Sequence, residues 1–169
     1  MAEERLEAEV LDLLRKQQST LTTAESLTGG LIAARLTDIP GASEVFKQGL
    51  VTYCDRAKHE LLHVKQETLD AYGAVSSETA AEMAQNGAEL TGADACIAVT
   101  GNAGPDASEG KPVGLVYIGC CVKGRTVVKE FHFQGSRREI RELTVKHALM
   151  LLSLTAGALH SGFGEKAVP

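Results

Sequence analysis

Leu6, Val10, Leu13 and Leu14 recur at helical spacing among charged residues, which predicts an amphipathic helix over Glu3 to Gln18. A short β-prone run, Thr20 to Thr23, follows and is broken by Ala24, Glu25, Ser26, Leu27, Thr28, Gly29 and Gly30. Helical spacing resumes over Leu31 to Thr37 until Pro40 stops it, so the pattern sets Ser26 at a strand-to-helix turn. Val45 to Tyr53 reads as a strand, Arg56 to Leu62 as a short helix, and Gln66 to Ala71 as another turn or two ended by Gly73. Ser76 or Ser77 is placed to cap a longer helix carrying Ala80, Met83, Ala84, Gly87 and Leu90 along one side, with Gly92 closing it.

Ala95 to Thr100 is an apolar run of strand length that leads into Gly101, Asn102, Ala103, Gly104 and Pro105 and a polar loop through Lys111. Val113 to Val122 and Thr126 to Phe133, separated by Lys123 and Gly124, predict a β-hairpin. Ser136 and Glu139 have the spacing of a capping box for a final helix. There Ile140, Leu143, His147, Leu151, Leu154 and Ala158 make one stripe, while Val145, Leu149 and Leu152 carry apolar character to other faces. Such a helix packs deep against a sheet or supplies a dimer interface.

Strands alternating with helices imply an α/β fold, a three-layer α/β/α sandwich, and the late hairpin makes its sheet mixed. The absence of linkers, repeats and low-complexity tracts implies a single domain over residues 1–169, with Gly162 to Pro169 expected as a disordered tail.

Composition narrows the function. At 169 residues, 44% hydrophobic and 23% charged, the chain can bury a real core without disulfides. A net charge of -5 argues against nucleic acid as a partner and favours small-molecule chemistry. The opening Met1, Ala2, Glu3, Glu4, Arg5 lacks the basic and apolar regions of a secretory signal, so a cytoplasmic location is expected. The most apolar stretch, Ala148 to Leu159, is too short to span a bilayer. Cys54, Cys96, Cys120 and Cys121 lack scaffold spacing and are expected as reduced, mostly buried thiols.

Five segments could carry chemistry. His59, Glu60, Leu61, Leu62 and His63 match the His-Glu-x-x-His pattern of zinc hydrolases, but the candidate helix is short and ends at Val64, and a third ligand could be nominated only from acidic helix residues such as Glu78, Glu82 or Glu89, which any acidic helix would offer; no metal or other cofactor is expected. Ser26, with Thr28, Gly29 and Gly30, lies beside helix N-terminal amides suited to an oxyanion or a phosphate, or to simple capping. Lys58 is a solvated charge if exposed; if buried, it becomes a base toward a serine. Lowering its pKa from about 10.4 to near 7 corresponds to roughly 4 to 5 kcal/mol and requires a nearly closed pocket. The loop of Gly101, Asn102 and Gly104 follows a strand end, where α/β sheets place ligands, yet it has no P-loop or dinucleotide fingerprint. Arg137, Arg138 and Arg141 could clamp a phosphate or carboxylate, or simply solvate a helix start.

Together, Thr22 to Gly30, Gly49 to Lys58, Gly73 to Ser76, Thr100 to Pro105, Lys111 to Gly114 and Gly135 to Arg137 resemble the CinA C-terminal domain family over roughly Glu7 to Ala156. Stand-alone members of that family are nicotinamide mononucleotide deamidases. The resemblance implies a metal-free Ser/Lys amidohydrolase: Ser26 as nucleophile, Lys58 as base, Tyr53 orienting or relaying the proton, Thr100 holding the carboxamide and Arg137 binding the phosphate. Ser43 matches a second family serine and is an alternative nucleophile or proton shuttle. A homodimer or higher homo-oligomer is expected. The sequence departs from the family pattern at Asn102, Ala107 and Ser108, and at Cys54 and Asp55, where the pattern has Ser and Asn.

Overall fold

The computed structural model describes residues 5–160. Its elements run α1 (Leu6–Lys16), β1 (Leu21–Glu25), α2 (Leu31–Thr37), a 3-10 turn (Ala42–Glu44), β2 (Phe46–Val51), α3 (Asp55–Leu62), α4 (Gln66–Tyr72), α5 (Ser77–Thr91), β3 (Ala95–Gly101), β4 (Leu115–Val122), β5 (Arg125–His132) and α6 (Arg137–His160). The five strands form one sheet in the order β2-β1-β3-β4-β5. β2, β1 and β3 are parallel, while β4 and β5 join antiparallel as the expected hairpin.

Helices cover both faces, which gives the three-layer mixed α/β/α sandwich. Leu21, Ile97, Val99 and Ile118 face the layer built from α1, α2 and α6. The alternate positions Ala24, Cys96, Ala98 and Cys121 face α5 and the short helices. All five residues of β1 are buried, as befits a parallel strand covered on both sides. α5 packs close on the sheet at two glycines. A Cβ at Gly87 would come 2.6 Å from Cys96 Sγ, and one at Gly119 would come 2.5 Å from the Ala80 carbonyl oxygen.

The caps form as the sequence predicts. Ser76 Oγ accepts from the Thr79 amide, and Ser136 and Glu139 exchange the two bonds of a capping box. Cys96, Cys120 and Cys121 are buried, whereas Cys54 is exposed at the start of α3.

Two expectations need correction. β2 is shorter than the expected strand Val45 to Tyr53: it ends at Val51, and Thr52 gives one last amide bond to the Glu25 carbonyl at 2.9 Å before Tyr53 leads on to α3. The stripe predicted for α6 is only partly the buried one. Ile140 and Leu151 from it are buried together with Thr144, Val145, Ala148, Leu149, Leu152 and Ala156, packed on α1 and the sheet, while Leu154 is 69% exposed. With nearly every face apolar, periodicity alone could not orient this helix. The tail expected at Gly162 to Pro169 lies outside the described residues. Among the described residues, no helix is long and apolar enough to cross a membrane.

Candidate active site

The carboxyl ends of the parallel strands β1, β2 and β3 meet at one edge of the sheet, where α/β folds place their ligands. Ser26 follows the last residue of β1, and its amide donates to the Val99 carbonyl at 3.2 Å, fixing it against β3. The neighbouring Glu25 is fully buried and turns the other way. Its carboxylate accepts from Thr28 Oγ1 at 2.6 Å and from the Ile32 and Ala33 amides at 2.9 and 3.1 Å. Glu25 thus occupies the free amides at the start of α2.

Lys58 lies one turn into α3, pointing inward beneath the Ser26 turn. It is only 2% exposed, and its Nζ lies 2.8 Å from Ser26 Oγ and 2.8 Å from the Thr52 carbonyl oxygen. Among the described residues no carboxylate lies within ion-pair distance of Nζ. Burial is the largest influence on this amine and lowers its pKa from the ordinary lysine value, against smaller opposing pulls from Asp55, Cys54 and Glu109. A lysine buried against a serine hydroxyl with no carboxylate partner is an arrangement in which an amine can serve as a base toward that hydroxyl.

Both side chains open into a cavity of about 340 Å³. Thr100, Asn102 and Gly104 line one side, and Tyr53 and Arg137 stand at its rim. Thr100 Oγ1 donates to the Ala74 carbonyl at 2.7 Å, tying β3 to the opposite wall. Asn102 Oδ1 accepts from the Gly104 amide at 3.0 Å and shapes its own loop. Arg137 donates to the Gly104 carbonyl at 2.6 Å and to Tyr53 Oη at 2.7 Å.

One anchor of this cavity carries no sequence signal. Glu109 accepts from the Ala74 and Val75 amides at 2.9 and 3.0 Å and meets Lys111 Nζ at 3.4 Å. Burial pushes the Glu109 carboxyl up, but these donors outweigh it and leave its pKa below the ordinary carboxylate value. Arg141, nominated from sequence as an anion clamp, instead holds the Ser26 turn by donating to the Leu27 and Thr28 carbonyls, both at 3.0 Å. Arg138 is exposed and pairs with Glu142.

Other nominated residues do not reach the cavity. Thr28, Gly29 and Gly30 lie outside its lining: the Thr28 hydroxyl is spent on Glu25, and the Gly29 amide folds back onto the Ser26 carbonyl at 3.0 Å. Ser43 is exposed in the 3-10 turn before β2, at the opposite edge of the sheet from Ser26. The zinc pattern also fails to assemble. α3 ends at Leu62, and His63 is its left-handed C-cap at φ 54°, so the two imidazoles do not share a helical face. His59 Nδ1 lies 2.8 Å from the Val64 carbonyl. Among the described residues, no group of three metal-binding side chains comes together. A larger groove of about 660 Å³ between α1 and α6, lined in part by Leu6, Glu7 and Arg35, lacks any serine–lysine pair, so cavity size does not mark the chemistry here.

Fold and site together define a mixed-sheet α/β/α protein with a serine touching a buried lysine at the carboxyl edge of its strands. The chain belongs to the CinA C-terminal domain family, whose model matches residues 3–156. It is 54% identical over 131 residues to a competence-damage inducible protein of Clostridium novyi, covering 77% of this chain and 32% of that one. It is 47% identical over 150 residues to a CinA-like protein of Kosmotoga olearia, covering 88% and 36%. The chain therefore spans about a third of the length of these curated relatives. The crystal structure of a CinA superfamily protein from Klebsiella pneumoniae superposes with a TM-score of 0.87 at 33% identity, covering 90% of this chain and 96% of that one. A competence/damage inducible protein from Agrobacterium tumefaciens gives 0.81 at 40% identity, covering 88% and 96%.

Proposed function

We propose that this chain is a serine amidohydrolase that converts nicotinamide mononucleotide to nicotinic acid mononucleotide and ammonia. The observation that carries the reading is the 2.8 Å contact between Ser26 Oγ and the buried, unpaired Lys58 Nζ. The uncharged amine takes the hydroxyl proton as Ser26 Oγ attacks the carboxamide carbon. The resulting ammonium returns that proton to the departing nitrogen, ammonia leaves, and an acyl ester remains on Ser26. Water, activated by the same amine, then attacks the ester and frees the carboxylate and the serine.

The surrounding groups support each step. Among the described residues, the amide of Leu27 has no protein acceptor, and Leu27 lines the cavity beside Ser26; this donor suits the developing oxyanion. The Thr100 hydroxyl proton is committed to Ala74, so its oxygen is left as an acceptor for the carboxamide NH₂. Arg137 keeps guanidinium donors beyond its two bonds, available to a phosphate at the rim. A cavity of this size falls within the range of small-ligand clefts, about 300 to 1,000 Å³.

The test is ammonia release from nicotinamide mononucleotide by the purified chain and by Ser26→Ala. Stoichiometric nicotinic acid mononucleotide from the wild type and none from the variant is the expected result. Binding without turnover in the wild type would make the domain a nucleotide-binding module instead.

A further inference from the structure

The cavity carries more negative charge than its two basic residues suggest. Asp55, Asp106 and Glu109 all contribute to its lining. Glu109 is met by two amides and Lys111, but the carboxylates of Asp55 and Asp106 make no hydrogen bond or ion pair among the described residues. Asp55 is the first residue of α3, one turn from Lys58, and its charge is felt at Nζ. On the other side of the balance, Lys58 is held toward its neutral form, and Arg137 stands at the rim already engaged by Gly104 and Tyr53. Asp55 and Asp106 are exposed, so the open side of the Ser26 cavity carries unspent negative charge.

We infer that Asp55, with Asp106, selects a positively charged N-substituted pyridinium ring over an uncharged ring of the same size. The inference rests on the proposed reaction at Ser26 and names what that site reads in its substrate. A ribosylated nicotinamide carries a fixed positive charge at the ring nitrogen, whereas free nicotinamide and the dihydro form of the nucleotide do not. The pyridinium meets the two carboxylates by ordinary Coulomb attraction. Its charge also works against protonation of the neighbouring Lys58 and so helps keep the base uncharged once substrate is bound. The same carboxylates repel the carboxylate that deamidation creates, which favours product release.

The experiment compares binding of oxidised nicotinamide mononucleotide with its dihydro form, which shares the ribose and phosphate, by calorimetry in Ser26→Ala at low salt. Exposed charge pairs of this kind are worth about two- to fivefold each. The oxidised form should bind about tenfold more tightly than the dihydro form. The ratio should fall toward one in Ser26→Ala carrying Asp55→Asn and Asp106→Asn, and shrink at high salt. A wrongly folded variant would lose both ligands equally, and each single substitution, read by the same ratio, separates that case. Equal binding of the two forms, no binding of either, or a ratio untouched by the substitutions overturns the inference. Ammonia release by the wild type is read in parallel. Release without charge preference sinks the inference and leaves the deamidase standing, whereas charge preference without release does the reverse.

Discussion

Arg141 Nε donates to the Leu27 carbonyl at 3.0 Å, so the last helix holds the turn that presents Ser26. A second bond from the same guanidinium to the Thr28 carbonyl makes the grip two-pronged. Ser26 and its clamp thus come from opposite ends of the chain.

Arg141→Ala should free that turn. We expect a loss of about 1 to 3 kcal/mol in urea unfolding, and at least about a tenfold drop in turnover of nicotinamide mononucleotide from a misplaced Ser26. Arg141→Lys should recover little, since an ammonium cannot bridge two carbonyls as a planar fork does. Wild-type kinetics in Arg141→Ala would remove the clamp from the mechanism.

Lys58→Met should lower turnover by about 10²- to 10⁴-fold, the usual worth of a positioned base. In the wild type, kcat/KM should rise with pH through the lowered pKa of Lys58 and then level off. Stability carries the same signature. A lysine whose folded pKa lies below its unfolded one binds fewer protons in the native state, so unfolding free energy rises with pH between those two values. Wild-type stability should therefore gain on Lys58→Met as pH climbs toward about 10.4, measured by denaturant midpoints. A gap that stays constant with pH would mean that Lys58 is charged in the folded chain.

Glu25→Gln should destabilise the fold by about 1 to 3 kcal/mol, because an amide NH₂ would confront the Thr28, Ile32 or Ala33 donors that the carboxylate now satisfies. Circular dichroism during thermal unfolding reads the loss. An unchanged midpoint would show that water replaces the carboxylate at the start of α2.

Ser43→Ala should keep near-normal ammonia release, because that hydroxyl lies exposed at the far edge of the sheet. Ser26→Ala should abolish it. The reverse outcome would exchange the roles of the two serines and require a different active conformation.

His59→Ala combined with His63→Ala, assayed with and without chelator, should leave turnover within about twofold of the wild type. These side chains sit on the exposed end of α3, away from the Ser26 cavity. A loss on chelation restored by zinc would revive the metal reading.

Much of this architecture was legible in the chain because it is written in local terms. The capping spacings at Ser76 and Ser136, the hairpin turn at Lys123 and Gly124, the β-prone run of β1 and the apolar run of β3 depend only on near neighbours. The boundary errors fell where tertiary context overrides pattern, at the ends of β2 and around α6. The site was half legible. Ser26, Lys58, Thr100, Asn102, Gly104, Tyr53 and Arg137 were nominated and come together, whereas Glu109 stood in an unremarkable polar loop and Arg141 looked like an anion clamp.

The sequence by itself determined an α/β chain with a mixed sheet, its alternation of elements and the segments able to carry chemistry, since hydrophobic period and turn residues act over a few positions. Only the tertiary structure decided which serine meets Lys58, which way Glu25 and Arg141 face, and that the carboxylates of Asp55 and Asp106 line the same cavity without a partner among the described residues. Those relations join residues distant in the chain, and the burial that strips Lys58 of water exists only once the layers close over it.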